Sequence, residues 1–175
     1  MNTSLVLTLV GADRPGLVES VAQLVAAHGG NWLESRMARL GGQFAGIARV
    51  ALPAGNEASL RAALTALDAR GLKVTVAQDP AAETVVKQGR AVKLELVGQD
   101  RPGIVHQVTR VLAAHRVNVE ELFTECVEAP MAGGILFQAH AELLIPPGAD
   151  MAAIQTDLEK IAADLMVDLR FAEAK

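Results

Sequence analysis

The sequence predicts an α+β protein built from two βαββαβ units, each an antiparallel sheet with its helices on one face. Two observations predict it. Leu9-Val-Gly-Ala-Asp-Arg-Pro-Gly-Leu-Val18 recurs as Leu96-Val-Gly-Gln-Asp-Arg-Pro-Gly-Ile-Val105, at an offset of 87 residues that also carries His28 onto His115 and Asn31 onto Asn118. Matches at one offset across a whole unit mean a duplicated fold. Within each copy, apolar periods of two and of 3.6 alternate in the order strand, helix, strand, strand, helix, strand. That order is the ferredoxin-like plan.

The first unit reads as follows. Leu5, Leu7 and Leu9 alternate with Val6, Thr8 and Val10 as a strand, which Gly11 to Gly16 ends. From Leu17 the residues Val18, Val21, Leu24 and Val25 fall at helical spacing until Gly29-Gly30. Trp32 to Leu40 and Phe44 to Leu52 predict a hairpin around Gly41-Gly42. Leu60, Leu64 and Leu67 mark a second helix that Gly71 ends, and Leu72, Val74 and Val76 form the last strand.

The second unit opens with Val92, Leu94 and Leu96, followed by a helix with Val105, Val108, Val111 and Leu112. Strands follow at Asn118 to Glu128 and Ile135 to Ile145, then a helix with Ile154, Leu158 and Ile161, then Val167, Leu169 and Phe171. Residues 1–78 are therefore assigned to the first domain, 79–90 to a linker containing Pro80 and Gly89, and 91–175 to the second domain. Asn118 to Pro146 spans about six residues more than Asn31 to Pro53, which places a longer hairpin loop at Glu128 to Gly134. In this topology the first two strands run parallel, so the hairpin tip lies beside the Asp-Arg-Pro-Gly turn, and the longer loop is expected to cover one site.

Composition removes several function classes. A net charge of −4, one Trp, no Tyr and no Lys/Arg cluster exclude a basic, aromatic nucleic-acid face. No apolar run is long enough to span a membrane. Met1 to Ser4 lacks the regions of a signal peptide, and the single Cys126 excludes an internal disulfide; both fit a cytoplasmic protein. No phosphate loop, metal-ligand cluster or nucleophile motif is present, so no metal, cofactor or catalytic residue is assigned. Cys126 and His140 could face each other across the second hairpin as an activated thiolate. The alternative is that Cys126 is a small buried hydrophobe. Glu120 and Glu121 are adjacent on a strand, point to opposite faces and make a poor acid/base pair.

The repeated turn is the candidate site. Gly11 and Gly98 would let the chain leave the strand in an unusual conformation. Asp13 and Asp100 would cap the helix, with Pro15 and Pro102 in its first turn. Gly16 and Gly103 leave the helix end bare, so the N–H groups around Leu17 and Val18, and around Ile104 and Val105, can take a carboxylate. Arg14 and Arg101 would strengthen that, and the aspartates would hold an ammonium group. A zwitterionic amino acid meets these requirements. Helix capping alone also explains the residue types. Asn31 and Asn118 offer a donor and an acceptor to the same ligand, or serve as turn residues. His28 and His115 fit the dipole of a helix C-terminus without any ligand. The turn and the Asn lie at opposite ends of one helix, about 18 Å apart. The sites expected are therefore Asp13 to Val18 with Asn118, and Asp100 to Val105 with Asn31.

Gly-x-Asp-Arg-Pro-Gly followed by His-x-x-Asn at matched spacing resembles the ACT domain, over nearly the whole chain. The resemblance implies a regulatory, non-enzymatic module whose effector, glycine or a similar small amino acid, sits at a domain interface near the turn and the Asn. For a stand-alone tandem it further implies negative control of glycine cleavage gene expression through a protein partner such as a transcriptional activator, without direct nucleic-acid contact, and it is compatible with a homodimer. The competing readings are an interaction module without effector, whose sheet edges receive a partner, and a regulator of an amino-acid-metabolism enzyme.

Overall fold

The structure, a computed structural model, describes residues 1–79, 88–129 and 134–173. The chain forms two compact units, Met1–Val85 and Val86–Lys175. The first contains β1 (Asn2–Ala12), α1 (Leu17–Ala27), β2 (Asn31–Leu40), β3 (Gln43–Pro53), α2 (Glu57–Thr65) and β4 (Leu72–Gln78). Its sheet order is β2-β3-β1-β4, with β3 and β4 both antiparallel to β1. The second contains β5 (Arg90–Gln99), α3 (Ile104–Ala114), β6 (Asn118–Glu128), β7 (Ile135–Ile145), α4 (Met151–Leu165) and β8 (Val167–Glu173), in the order β6-β7-β5-β8. Each unit thus has the ferredoxin-like architecture expected from the sequence.

The period-two pattern of β1 sends Leu5, Leu7 and Leu9 under the helices, where they are at most 1 % exposed. They meet Leu17, Val21 and Val25 of α1 and Leu60 and Leu64 of α2. Full burial of such side chains contributes about 1.5–3 kcal/mol each. In the second unit Val92, Leu94 and Leu96 meet Ile104, Val108, Leu112, Ile154 and Leu158 in a core of the same design. Among the described residues, the opposite sheet face of each unit carries no helix.

The helix ends follow local chemistry. The apolar run Leu60, Leu64, Leu67 is split: α2 stops at Thr65, and Ala66–Arg70 tightens into a 3-10 turn that Gly71 closes at φ 77°. Helix α4 is capped by Asp150, whose Oδ1 accepts from the backbone N–H groups of Ala152 and Ala153 at 2.9 and 3.1 Å. Asp150→Ala is expected to cost about 1 kcal/mol, or about 4–8 °C in Tm, read by thermal unfolding. Asp150→Asn, which keeps the acceptor, should recover most of it. No helix among the described residues is long and apolar enough to cross a membrane.

Candidate functional site

Strands β1 and β2 both run antiparallel to β3 and so parallel to each other, which brings the hairpin tip to the end of β1. The Asp13 N–H donates to the Gly42 carbonyl at 2.9 Å, and the Asp100 N–H donates to the Ile135 carbonyl at 3.0 Å. The turn in each copy is therefore pinned to its hairpin by the backbone. The cover expected from the longer hairpin falls on residues 130–133, outside the described residues.

Capping differs from the expectation. The N-cap residues are Gly16 and Gly103, at φ 89° and 94°, and neither helix has a side-chain cap. Asp13 and Asp100 lie too early to cap, and Pro15 and Pro102 precede the helix rather than open it. The physical reason is the Pro-Gly pair. It fits the two centre positions of a type II turn, where the second needs φ near +80°. A left-handed glycine then stands where the capping side chain would be. The first N–H groups of α1 and α3 have no acceptor within their own helix, and neither helix start has a side-chain cap hydrogen bond among the described residues. Leu17 and Ile104 anchor the helix starts in the cores at 4 % and 3 % exposure. Val18 and Val105 stand outside.

Gly11 and Gly98 do not take an unusual conformation, since neither has positive φ. They are glycines because the segment entering the last strand of the same unit passes close. A Cβ on Gly11 would lie 2.4 Å from the Gly71 carbonyl oxygen, and one on Gly98 would lie 2.8 Å from Val167 Cα.

The charged residues of the turn are engaged differently in the two copies. Asp13 Oδ2 accepts from Arg39 Nε at 2.7 Å. The residue at the Arg39 position of the second unit is Cys126, and Asp100 is exposed without an ion pair among the described residues. Arg14 Nη2 donates to the Arg70 carbonyl at 2.5 Å, and Arg101 Nη2 lies 3.8 Å from Met166 Sδ. Both guanidinium groups thus turn toward the connection into the last strand. The backbone N–H groups, more than the arginines, are what each helix start presents to an anion.

The asparagines are unequal as well. Asn31 is exposed, with no hydrogen bond of its side chain among the described residues. Asn118 Nδ2 donates to Glu120 Oε1. Glu120 sits where β6 bulges against β7, as Leu33 does where β2 bulges against β3. The bulge also removes the simple face alternation expected for Glu120 and Glu121. His28 and His115 are C-cap residues. His28 Nδ1 lies 2.7 Å from the Leu24 carbonyl, which accepts from it, and His115 Nε2 lies 3.0 Å from Asp157 Oδ2.

Hydrogen bonds from His115 and then Lys160 hold the Asp157 carboxyl below its ordinary value of 3.8. A carboxylate with a depressed folded value adds stability above its unfolded value, and that stability is lost as pH falls through the folded value. The acid side of a Tm-against-pH profile should therefore flatten below pH 3.8 in Asp157→Asn, with no change in slope between pH 5 and 7 from this residue.

A narrow apolar cleft of about 30 Å³ opens between α3 and β6, lined among others by Val105, Thr109, Val119, Leu122 and Thr124. In the first unit Trp32 and Met37 stand at the positions of Val119 and Thr124 and pack against the core. Cys126 is exposed, not the small buried hydrophobe expected. It pairs in register with Phe137, whereas His140 pairs with Phe123, so the two do not form a thiolate pair. Among the described residues no group of His, Cys, Asp and Glu is arranged to hold a metal ion.

Two ferredoxin-like units, each with a bare helix start after Asp-Arg-Pro-Gly, define a class. Residues 3–77 and 92–172 each match the ACT domain. The chain belongs to the ACT domain family and is a regulatory protein of the amino-acid-sensing class. It is 28% identical over 166 residues to the glycine cleavage system transcriptional repressor of Escherichia coli (strain K12), covering 92% of this chain and 85% of that protein. The repressor of the same name from Shigella flexneri matches equally, at 28% over 92% of this chain and 85% of its own length. Among solved structures, an unknown protein from Galdieria sulphuraria is similar over 100% of both chains, with 31% identity and a TM-score of 0.85.

Proposed function

We propose that the protein senses glycine or a similar small amino acid and restrains expression of glycine cleavage genes by contact with a protein partner. The observation that carries the sensing is the uncapped helix start, present in both units with glycine at the N-cap. Free N–H groups at a positive helix end stabilise a carboxylate, and a glycine N-cap leaves room for it. Asp100 supplies an anion for the ligand's ammonium group. The similarity to repressors over most of the chain supports the regulatory target. With net charge −4 and few aromatics, the protein is better suited to act through another regulator than on DNA.

Within one unit the turn and the asparagine stand at the two ends of an 11-residue helix. That is about 16 Å, too far for a small amino acid to touch both. Asp13 to Val18 with Asn118, and Asp100 to Val105 with Asn31, are therefore proposed as the two sites.

Thermal unfolding against a panel of glycine, serine and alanine tests the sensing. At 100 times its dissociation constant a ligand adds about 2.7 kcal/mol to the unit that binds it. For a unit of this size that is a Tm rise of about 10–20 °C. A panel that leaves Tm unmoved would count for an interaction module without effector. Capture of a partner from cell extract with and without glycine then tests the regulatory half.

A further inference from the structure

We propose that the helix-free sheet face of the first unit is a docking surface for the helix-free sheet face of the second unit of another copy of this chain. The proposal does not depend on amino-acid sensing. It rests on what the two faces carry. In the first unit, cross-strand register puts Arg36, Ile47, Thr8 and Thr75 in one row, and Ala38, Ala45, Val10 and Lys73 in the next. The centre is apolar and open, with Ile47 51 % and Val10 42 % exposed. Arg49 is neutralised by Asp79 at 2.5 Å and lies 3.7 Å from Glu34. Arg36 and Lys73, at opposite sides of the sheet, have no ion pair among the described residues.

The same rows in the second unit are acidic. Phe123, His140, Glu95 and Arg170 form one, and Glu121, Glu142 and Lys93 lie beside it. Glu125 and Asp168 lie in the next row, so among the described residues five carboxylates share this face with Lys93, Arg170 and His140. Lys93 lies 4.0 Å from Glu142 and His140 4.0 Å from Glu95, which leaves Glu121, Glu125 and Asp168 without an ion pair among the described residues. Phe123 is 55 % exposed and borders a depression of about 200 Å³ on this face. An apolar centre with two unpaired cations thus has its complement in an exposed aromatic ring set among excess carboxylates. Like faces repel: acidic on acidic sets one net excess of carboxylates against another, which disfavours the second unit docking on its own kind.

Area is also adequate. Four strands about 4.8 Å apart, with about seven residues each at about 3.4 Å, give a footprint of about 450 Å² per face. A reciprocal pair of chains makes this contact twice and buries about 900 Å² per partner, near the 800 Å² or so of a stable interface. Reciprocity also closes the assembly, where a single heterologous contact would propagate into a chain of molecules.

Charge exchange tests it. Variant one carries Arg36→Glu and Lys73→Glu on the first face; variant two carries Glu121→Lys and Glu142→Lys on the second. All four positions are exposed, and far-UV circular dichroism verifies folding. Sedimentation velocity should show a wild-type dimer, each variant alone weakened at least about tenfold, and a restored heterodimer when the two variants are mixed. In that mixture each acidic face meets a basic one. A wild type that is monomeric at its highest soluble concentration would overturn the proposal. So would variants that dimerise as the wild type does, or a mixture in which neither variant recovers a partner.

Discussion

Gly11→Ala is expected to lower the Tm of the first unit by about 12–24 °C, corresponding to about 3 kcal/mol. The added Cβ would lie 2.4 Å from the carbonyl oxygen of Gly71 and 3.3 Å from Leu72 Cα, both backbone. A side chain could swing away, but this neighbour cannot. Gly71 is held at φ 77°, closing the 3-10 turn, and its next residue starts the β4 ladder against Gly11 itself. Relief therefore requires β4 to leave β1, which uncovers Leu7, Leu9 and Leu72. Gly98→Ala should act alike on the second unit, since its Cβ would meet Val167 at Cγ1 2.4 Å and Cα 2.8 Å. Gly55→Ala is the control: nothing lies within 4 Å of its Cβ. It should be neutral or stabilise by about 0.4–1 kcal/mol through the unfolded chain. If calorimetry finds Gly11→Ala no worse than Gly55→Ala, close strand approach is not what requires glycine there.

Gly11 also shows where sequence reading reaches its limit. Apolar periodicity placed α1 at Leu17 and the strands Asn118–Glu128 and Ile135–Ile145 where the structure has them, because burial of one face sets both period and register. Glycine is harder to read, since it serves an unusual φ and a close approach equally well, and the second depends on a strand about 60 residues away. The N-cap differs from the expected aspartate for a local reason. Asp before Pro-Gly looks like a helix start, yet the Pro-Gly pair shifts the N-cap onto Gly16 and Gly103. The signal was present in that dipeptide. The engagement of Asp13 by Arg39 and of Asn118 by Glu120 was less accessible. The first depends on hairpin register, and the second depends on a bulge that period-two reasoning does not anticipate.

Those two contacts lead to the sharpest functional expectation: Asn31→Ala should weaken glycine binding about 10–100-fold, while Asn118→Ala changes it little. Each unit has engaged one of its own half-sites. Asp13 is held by Arg39, and Asn118 donates to a carboxylate. The Asp100 carboxylate and the Asn31 amide have no ion pair or side-chain hydrogen bond among the described residues. The two engagements differ in cost. An exposed ion pair such as Asp13–Arg39 contributes only about 0–1 kcal/mol, so releasing it is a small barrier to a ligand. The exposed hydrogen bond from Asn118 to Glu120 contributes about 0.5–1.5 kcal/mol, and a ligand using Asn118 must replace it. With about 1.4 kcal/mol per tenfold, that alone separates the two sites by a factor of about 2–10. The Asp100 turn with Asn31 is therefore the site expected to bind, and the Asp13 turn with Asn118 the weaker one. Titration calorimetry with glycine on Asn31→Ala, Asp100→Asn and the double variant adds a further check. If both residues serve one binding event, the double variant should lose less than the sum of the single losses. Conversely, Glu120→Leu, which copies Leu33 of the first unit, should free Asn118 and bring a second binding event into range. Equal losses from Asn31→Ala and Asn118→Ala, or a larger loss from Asn118→Ala, would show that the engagement of each half-site within its own unit does not decide where the effector binds.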